Sequence, residues 1–288
     1  MSTTTQTTPS APRHASRGDV RVNQWRVVVS EWIKLRSLRS TLYLLLGAAA
    51  AVIGFALLAS AAVSGQIEGP RDREQGAGGG GPGFAFDPTS ISLSGVMLAQ
   101  MIIGVLGVLV MSGEYSTGMI RSSLSAVPKR LPVLWAKALV LSGVTLVLML
   151  LAVFIAFLAS QPILAGADMD GALTDEGVVT ALIGAAFYLT GVGVLGIALG
   201  ALLRNTAGAI TTLFAALLVA PGLLGLVLPT DWAESMSPYM PSNAGQAIMS
   251  AGDNSPGLLD TAAGLAVFSG YIIVLLAAAA FALTRRDA

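Results

Sequence analysis

Long uninterrupted runs of apolar residues alternate along the chain with short polar connections. Six runs hold about 20 residues or more, which is the length a helix needs to cross a bilayer. In lipid such a run is helical, because a helix satisfies its own backbone polar groups. We place the spans at 41–64, 91–112, 134–160, 178–203, 207–228 and 259–283. The pattern predicts an all-α, polytopic membrane protein with six transmembrane helices.

The segment before the first span, residues 22–40, repeats apolar residues at helical spacing. One side of this helix holds Trp25, Val28, Val29, Trp32 and Leu35. Another side holds Arg26, Ser30, Lys34 and Ser37. Tryptophans beside basic residues are typical of an amphipathic helix that lies in the membrane interface. A basic flank of the first span is the alternative interpretation.

The connection between spans two and three predicts a second short helix, at about 114–127. Its apolar side holds Met119, Ile120, Leu124 and Val127, and its polar side holds Arg121, Ser122 and Ser125. Pro128 ends it, and Pro132 suits the first turn of span three. A helix this short is marginal in water and needs packing to hold it. The segment is either a docking surface or a neutral linker.

The basic residues orient the predicted bundle. Fourteen of the 16 lie before span one, between spans two and three, between spans four and five, or after span six, and only Arg71 and Arg73 fall on the other side. Basic connections stay cytoplasmic. We therefore predict cytoplasmic termini, a disordered cytoplasmic tail at 1–21, and cytoplasmic positions for both amphipathic segments.

Composition narrows the chemistry. The chain is 54% hydrophobic and 11% charged, has no cysteine, and has a single histidine, His14, in the polar tail. Its net charge is zero, so we predict no nucleic acid among its partners, and the spans predict membrane lipids as partners. No carboxylate lies within a span, and Asp260 only borders the last one, so we predict no catalytic residue, no metal site and no proton relay. Sodium coupling through backbone carbonyls is less strongly excluded. "GAGGGGPG" (76–83) reads as a linker, because Phe84 follows where a phosphate-binding loop needs a lysine. Energy for uphill transport would therefore come from a partner.

Several features within and between the spans are compatible with two interpretations each. Residues 229–256 form either short helices that dip into the outer leaflet or a surface loop. The glycines of 191–200 favour close helix contacts, and Pro221 favours a kink in span five. Polar residues in the spans either line a substrate path or form ordinary hydrogen bonds between helices; they are Gln100, Tyr188, Thr190, Thr211 and Thr212.

The sequence "GEYSTGMIRSSLSAVPKRLPVLWAKAL" resembles the segment between spans two and three of bacterial ABC-2-type permeases, the actinobacterial members above all. These are the membrane subunits of ATP-binding-cassette exporters. The segments "SEWIKLRSLRST", "YMPSNAGQAI" and "LTRRDA" are similar to such permeases too. The resemblance covers about residues 22–288 and agrees with the six-span layout.

The resemblance implies a permease subunit in a bacterial plasma membrane, paired with a second permease copy and with two copies of a cytoplasmic ATPase. This chain would bind no cofactor, ATP and magnesium would be held by the ATPase, and the chain itself would not be an enzyme. The ATPase-coupling residues would be Glu114, Tyr115, Gly118, Met119, Arg121, Trp32 and Lys34. Glu114 would pair with a basic group of the ATPase or brace the two cytoplasmic helices. The alternative function is a membrane scaffold or sensor that docks a partner without transport.

Overall fold

The computed structural model describes residues 24–66, 87–116, 118, 131–251 and 257–285. Six helices in these ranges are long and apolar enough to cross a membrane. They are Arg39–Gly65, Val96–Tyr115, Leu131–Ala165, Val178–Leu203, Thr206–Val227 and Thr261–Arg285. This confirms the prediction of an all-α, six-span protein. The predicted tail (1–21) and the glycine-rich linker (76–83) lie outside the described residues.

The described residues form the following helices in chain order. The first four are α1 (Gln24–Ser37), α2 (Arg39–Gln66), α3 (Pro88–Ser92) and α4 (Val96–Ser116). Spans three and four are α5 (Leu131–Ala165) and α6 (Val178–Leu203). Span five consists of α7 (Thr206–Phe214), a π-helical turn (Ala215–Val219) and α8 (Ala220–Val227). The last elements are α9 (Thr230–Met236), a 3-10 turn (Ser237–Tyr239), α10 (Pro241–Met249) and α11 (Thr261–Arg285).

Helix α6 is the centre of the bundle and packs against α4, α5, α10 and α11. Glycines allow α4 and α6 to approach closely where they cross. A Cβ on Gly107 would lie 2.0 Å from the carbonyl oxygen of Gly193, and one on Gly196 would lie 2.5 Å from that of Gly104. The glycines of span four therefore make close helix contacts, as predicted.

Span two lies further along the chain than predicted. The chain turns at Gly95, where a Cβ would meet the Val52 carbonyl oxygen at 2.5 Å, so α3 is separate from α4. Helix α4 consequently begins at Val96 instead of 91 and continues to Ser116. The predicted helix at 114–127 was wrong at its start, because Glu114 belongs to the last turn of α4. Residues 119–127 lie outside the described residues.

Residues 229–251 are largely helical, which favours the first of the two interpretations. Helix α10 runs antiparallel to α6, with Gly245 against Tyr188 and the Ile248 carbonyl against Gly184. Tyr188 lies ten residues after the start of α6, which corresponds to about 15 Å along that helix. Helix α10 therefore re-enters the bundle to about that depth and is not a surface loop.

Span five is interrupted, as the proline indicated. The π-helical turn at Ala215–Val219 ends just before Pro221, whose ring nitrogen carries no hydrogen to donate. A π-turn is one way for a helix to accommodate such a missing donor. About 11% of the most apolar part of this span is buried, against 83% for span four.

Candidate functional site

Three helices meet at one end of the bundle: α1, the last turn of α4 and the first turns of α5. Val27 of α1 packs against Val133 and Ala136 of α5. Nearby, Gln24 Nε2 donates a hydrogen bond of 3.1 Å to the carbonyl oxygen of Pro132. These contacts place α1 against the beginning of α5, directly beside the point where α4 ends.

Four ionised side chains lie between these helices, and we call them the ion-pair cluster: Glu31, Lys34, Glu114 and Lys137. Lys137 Nζ donates to Glu31 Oε2 and to Glu114 Oε1, both at 2.7 Å. Lys34 Nζ donates to Glu31 Oε1 at 2.8 Å and to Glu114 Oε1 at 3.0 Å. Each lysine therefore bridges both glutamates, and the cluster as a whole is neutral.

The ion-pair cluster is largely removed from solvent. Lys137 is 3% exposed and Glu31 is 6% exposed, while the side chain of Lys34 keeps 32% of its surface accessible. Taking such charges out of water costs several kcal/mol per ion, and close pairing with several hydrogen bonds offsets that cost. The net stability gained is small, but removing one partner leaves an uncompensated buried charge. The cluster therefore specifies how α1, α4 and α5 fit together.

Lys34 is held in its charged form. Burial alone would lower the pKa of Lys34, but its hydrogen bonds to Glu31 and Glu114 and their negative charges outweigh that effect. The pKa of Lys34 is consequently raised above the ordinary lysine value. The lysine remains an ammonium donor to both glutamates at neutral pH.

Glu114 braces helices in this structure. Its Oε1 atom accepts from lysines of both α1 and α5. Its Oε2 atom is buried and has no hydrogen-bond donor within the described part of the chain. Glu114 therefore joins α1 and α5 to the last turn of α4 within this chain.

A second set of contacts holds the end of α4 from the other side. The guanidinium of Arg204 lies over the ring of Tyr115, with Cζ 5.3 Å from the ring centroid. Thr206 Oγ1 donates to Ser112 Oγ at 2.8 Å. Arg204 itself has a left-handed backbone (φ 51°) and ends α6. The turn between spans four and five is thereby attached to the residues next to Glu114.

The other residues predicted to contact an ATPase do not all join the ion-pair cluster. Trp32 lies on the far side of α1 and is 48% exposed. Gly118 is exposed, has φ +72°, and its amide donates to the Tyr115 carbonyl oxygen at 3.3 Å, so it lies just past the end of α4. Met119 and Arg121 lie outside the described residues. Among the described members of the predicted set, Lys34 and Glu114 are hydrogen-bonded, and Tyr115 follows Glu114 in α4 and contacts Arg204.

The residues predicted to line a substrate path separate into two groups. Tyr188 OH donates to Gln100 Oε1, and both side chains are buried between α4 and α6. Thr190 donates to the Ala186 carbonyl oxygen of its own helix at 2.8 Å. Thr211 and Thr212 are exposed on α7. The five residues therefore do not form one continuous lining.

Three residues of the site were not recognised as such from the sequence: Glu31, Lys137 and Arg204. Two of them carried a usable signal. Glu31 is the one acidic residue in α1 and stands three positions before Lys34, where helical side chains meet. Lys137 is the one charged residue inside the 35-residue apolar helix α5, and a charge in such a helix indicates a paired, functional position.

Comparison with protein-family models matches residues 27–230 to the ABC-2 family transporter protein model. The match runs from α1 to the start of α9 and includes all four residues of the ion-pair cluster. A search of curated proteins found no match. Because the family model covers more than half of the chain, and because six membrane-spanning helices accompany it, the chain belongs to the ABC-2 family of transporter proteins, the permease components of ATP-binding-cassette transporters.

Proposed function

We propose that this permease forms the translocation path of an ATP-driven exporter and couples that path to a separate cytoplasmic ATPase through the ion-pair cluster. The single observation that carries the proposal is the cluster itself. Its four charges, three of them buried, join α1, α4 and α5 beside the connection that contains most of 114–127, the segment predicted to dock the ATPase.

The contacts suggest how a displacement of that segment would travel. Residues 117–130 connect the end of α4 to the beginning of α5, so a force on them acts on both helices. The buried ion pairs make α1 follow, because separating the helices would strand charges in a poorly solvated place. Tyr115 and Ser112 pass the same movement to Arg204 and Thr206 at the start of span five.

The remaining parts of the proposal concern the assembly. Two ATPase copies would bind ATP and magnesium and carry out hydrolysis, and a second permease copy would complete the path. The ion-pair cluster would face the bacterial cytoplasm, together with both termini, because 14 of the 16 basic residues occupy that side of the predicted topology. Export is the direction implied by the resemblance to ABC-2 exporters.

Co-expression with a candidate ATPase tests the proposal. Since the chain has no cysteine, single cysteines at exposed Ser40 and Asn205 accept nitroxide labels without background. We expect a stable complex that hydrolyses ATP, and a change in the distance between the labels when ATP and vanadate trap the complex. We expect Glu114→Gln to abolish the distance change while ATP hydrolysis continues.

The matched control is Glu234→Gln, which removes an exposed carboxylate at the other end of the bundle. It should leave the distance change intact. A complex that assembles and hydrolyses ATP with no change in distance in the unaltered permease would contradict transport and favour the scaffold or sensor. A Glu114→Gln variant that behaves like the control would contradict the role of the ion-pair cluster alone.

A further inference from the structure

Helix α1 has an outward face whose side chains keep much of their surface accessible. Trp25, Val29, Trp32 and Arg36 follow one another at i, i+4, i+7 and i+11, so they form one stripe along the helix. The three apolar members are 68%, 38% and 48% exposed. Val27 and Glu31, on the opposite face, are buried against the bundle. We call this stripe, with neighbouring Arg26, the outer face of α1.

The charge left on the outer face of α1 is entirely positive. The helix holds four charged residues, and two of them, Glu31 and Lys34, are engaged in the ion-pair cluster. Glu31 is the one acid of α1, and it points into the bundle. Arg26 and Arg36 remain exposed, and exposed Arg39 follows at the start of α2. Burying the acid therefore turns a mixed-charge sequence into a cationic, tryptophan-bearing surface.

The position of α1 along the chain places this surface next to lipid. Leu38 is the one residue between α1 and α2, and α2 is a membrane span. The outer face of α1 is consequently close to the membrane surface, where tryptophan rings lie at headgroup depth. Guanidinium groups pair with phosphate through two hydrogen bonds, and a leaflet rich in anionic lipid attracts each of them further.

We infer that the outer face of α1 binds anionic phospholipid headgroups, with Arg26, Arg36 and Arg39 as the phosphate-binding residues and Trp25 and Trp32 as the apolar anchors. The inference does not depend on the ATPase, since it requires only that α2 crosses a membrane. Because Glu31 and Lys34 belong to the same helix, lipid bound on one face of α1 would steady the ion-pair cluster on the other.

Quenching of tryptophan fluorescence by brominated lipids tests the inference on the full-length protein in nanodiscs. Trp135 and Trp232 are replaced by phenylalanine, so that Trp25 and Trp32 are the reporters. Brominated phosphatidylglycerol is compared with brominated phosphatidylcholine at the same mole fraction. Each arginine near an anionic surface contributes roughly five-fold in binding. We therefore expect clearly stronger quenching by the anionic lipid, lost at about 1 M salt, where charges are screened within about 3 Å.

In the variant Arg26→Gln/Arg36→Gln/Arg39→Gln, the two brominated lipids should quench the tryptophan fluorescence equally. Arg285→Gln is the control, because it removes an exposed arginine from α11 at the same end of the bundle. It should keep the preference for phosphatidylglycerol. Equal quenching by both lipids in the unaltered protein, or a preference that survives the triple substitution, would overturn the inference. Quenching by neither lipid would also overturn it and would indicate that an acidic protein surface covers α1.

Discussion

The two ends of the bundle are held together in opposite ways. At the end formed by α1, α4 and α5, four ionised side chains bridge three helices through long, flexible stems. At the other end, α10 packs against both α6 and α11. Glycines at these contacts leave no space for a larger side chain. A Cβ on Gly245 would lie 2.1 Å from the Tyr188 ring, and one on Gly264 would lie 2.8 Å from Ala247 Cβ.

The difference separates a part of the molecule that can rearrange from a part that cannot. Ion pairs between lysine and glutamate tolerate small shifts of the backbone without separating, because their long side chains adjust. Close backbone packing has no such tolerance, since any relative movement produces a clash or a void. We therefore expect movement to begin at the ion-pair cluster, with α10 and α6 moving as one unit.

Breaking the ion-pair cluster should have the largest effect. Lys137→Met removes the buried lysine and leaves Glu31 and Glu114 to share Lys34. A buried pair broken on one side costs about 3–5 kcal/mol. We expect α1 to detach from α5, which would appear as faster amide hydrogen exchange in Gln24–Ser37.

The matched variant for this change is Lys137→Met combined with Glu31→Gln, which leaves one lysine and one glutamate. The charges are balanced again, so the protection of α1 against amide hydrogen exchange should recover at least in part. If the double variant exchanges as fast as Lys137→Met alone, the loss comes from the shape of the lysine and not from its charge.

Overpacking the other end should have an intermediate effect. Gly245→Ala places a methyl group against the ring of Tyr188, which is itself 2% exposed and has little room to move. Inserting a methyl group into a packed core costs typically 1–3 kcal/mol. We expect a lower thermal unfolding midpoint, with hydrogen exchange in α1 unchanged.

Gly270→Ala in α11 is the control, because nothing lies within 4 Å of its added Cβ. Alanine is favoured over glycine within a helix, so this variant should be at least as stable as the original protein. Equal midpoints for the two alanine variants would contradict the packing described for α10.

Removing one neutral hydrogen bond should have the smallest effect. Tyr188→Phe keeps the ring against Phe268 and Gly245 but leaves Gln100 without its donor. Hydrogen bonds between membrane helices contribute about 0.6 kcal/mol on average and rarely above about 1.7. The unfolding midpoint should fall slightly, and less than for Gly245→Ala. Tyr43→Phe, on an exposed ring of α2, should leave the midpoint unchanged, and a larger loss there than at Tyr188 would contradict this assignment.

The candidate site was predicted only in part, for a reason that two residues illustrate. Glu114 was selected because of its place in a connection between spans, and the structure gives it two lysine partners. Glu31 stands among apolar residues at helical spacing, and that spacing indicates the tryptophan face without indicating that the glutamate is buried. Those tryptophans lie outward and the glutamate lies inward. Periodicity identifies the faces of a helix, but it does not decide which face meets the bundle when both membrane and protein surround it.

The sequence by itself determined the six spans and the family. Lipid offers no hydrogen-bond partner to backbone polar groups, so a sufficiently long apolar run must be helical. This conclusion needs only the residues of the run itself. Only the tertiary structure decided which charges meet. Lys137 is 106 residues from Glu31 and 23 from Glu114. Helix α1 must fold back onto α5 before the first pair exists, and α5 must pack beside the end of α4 before the second exists. Packing also decided that α10 re-enters the bundle, because Gly245 of α10 fits against Tyr188 of α6, and Gly264 of α11 fits against Ala247 of α10, only once the three helices are in place.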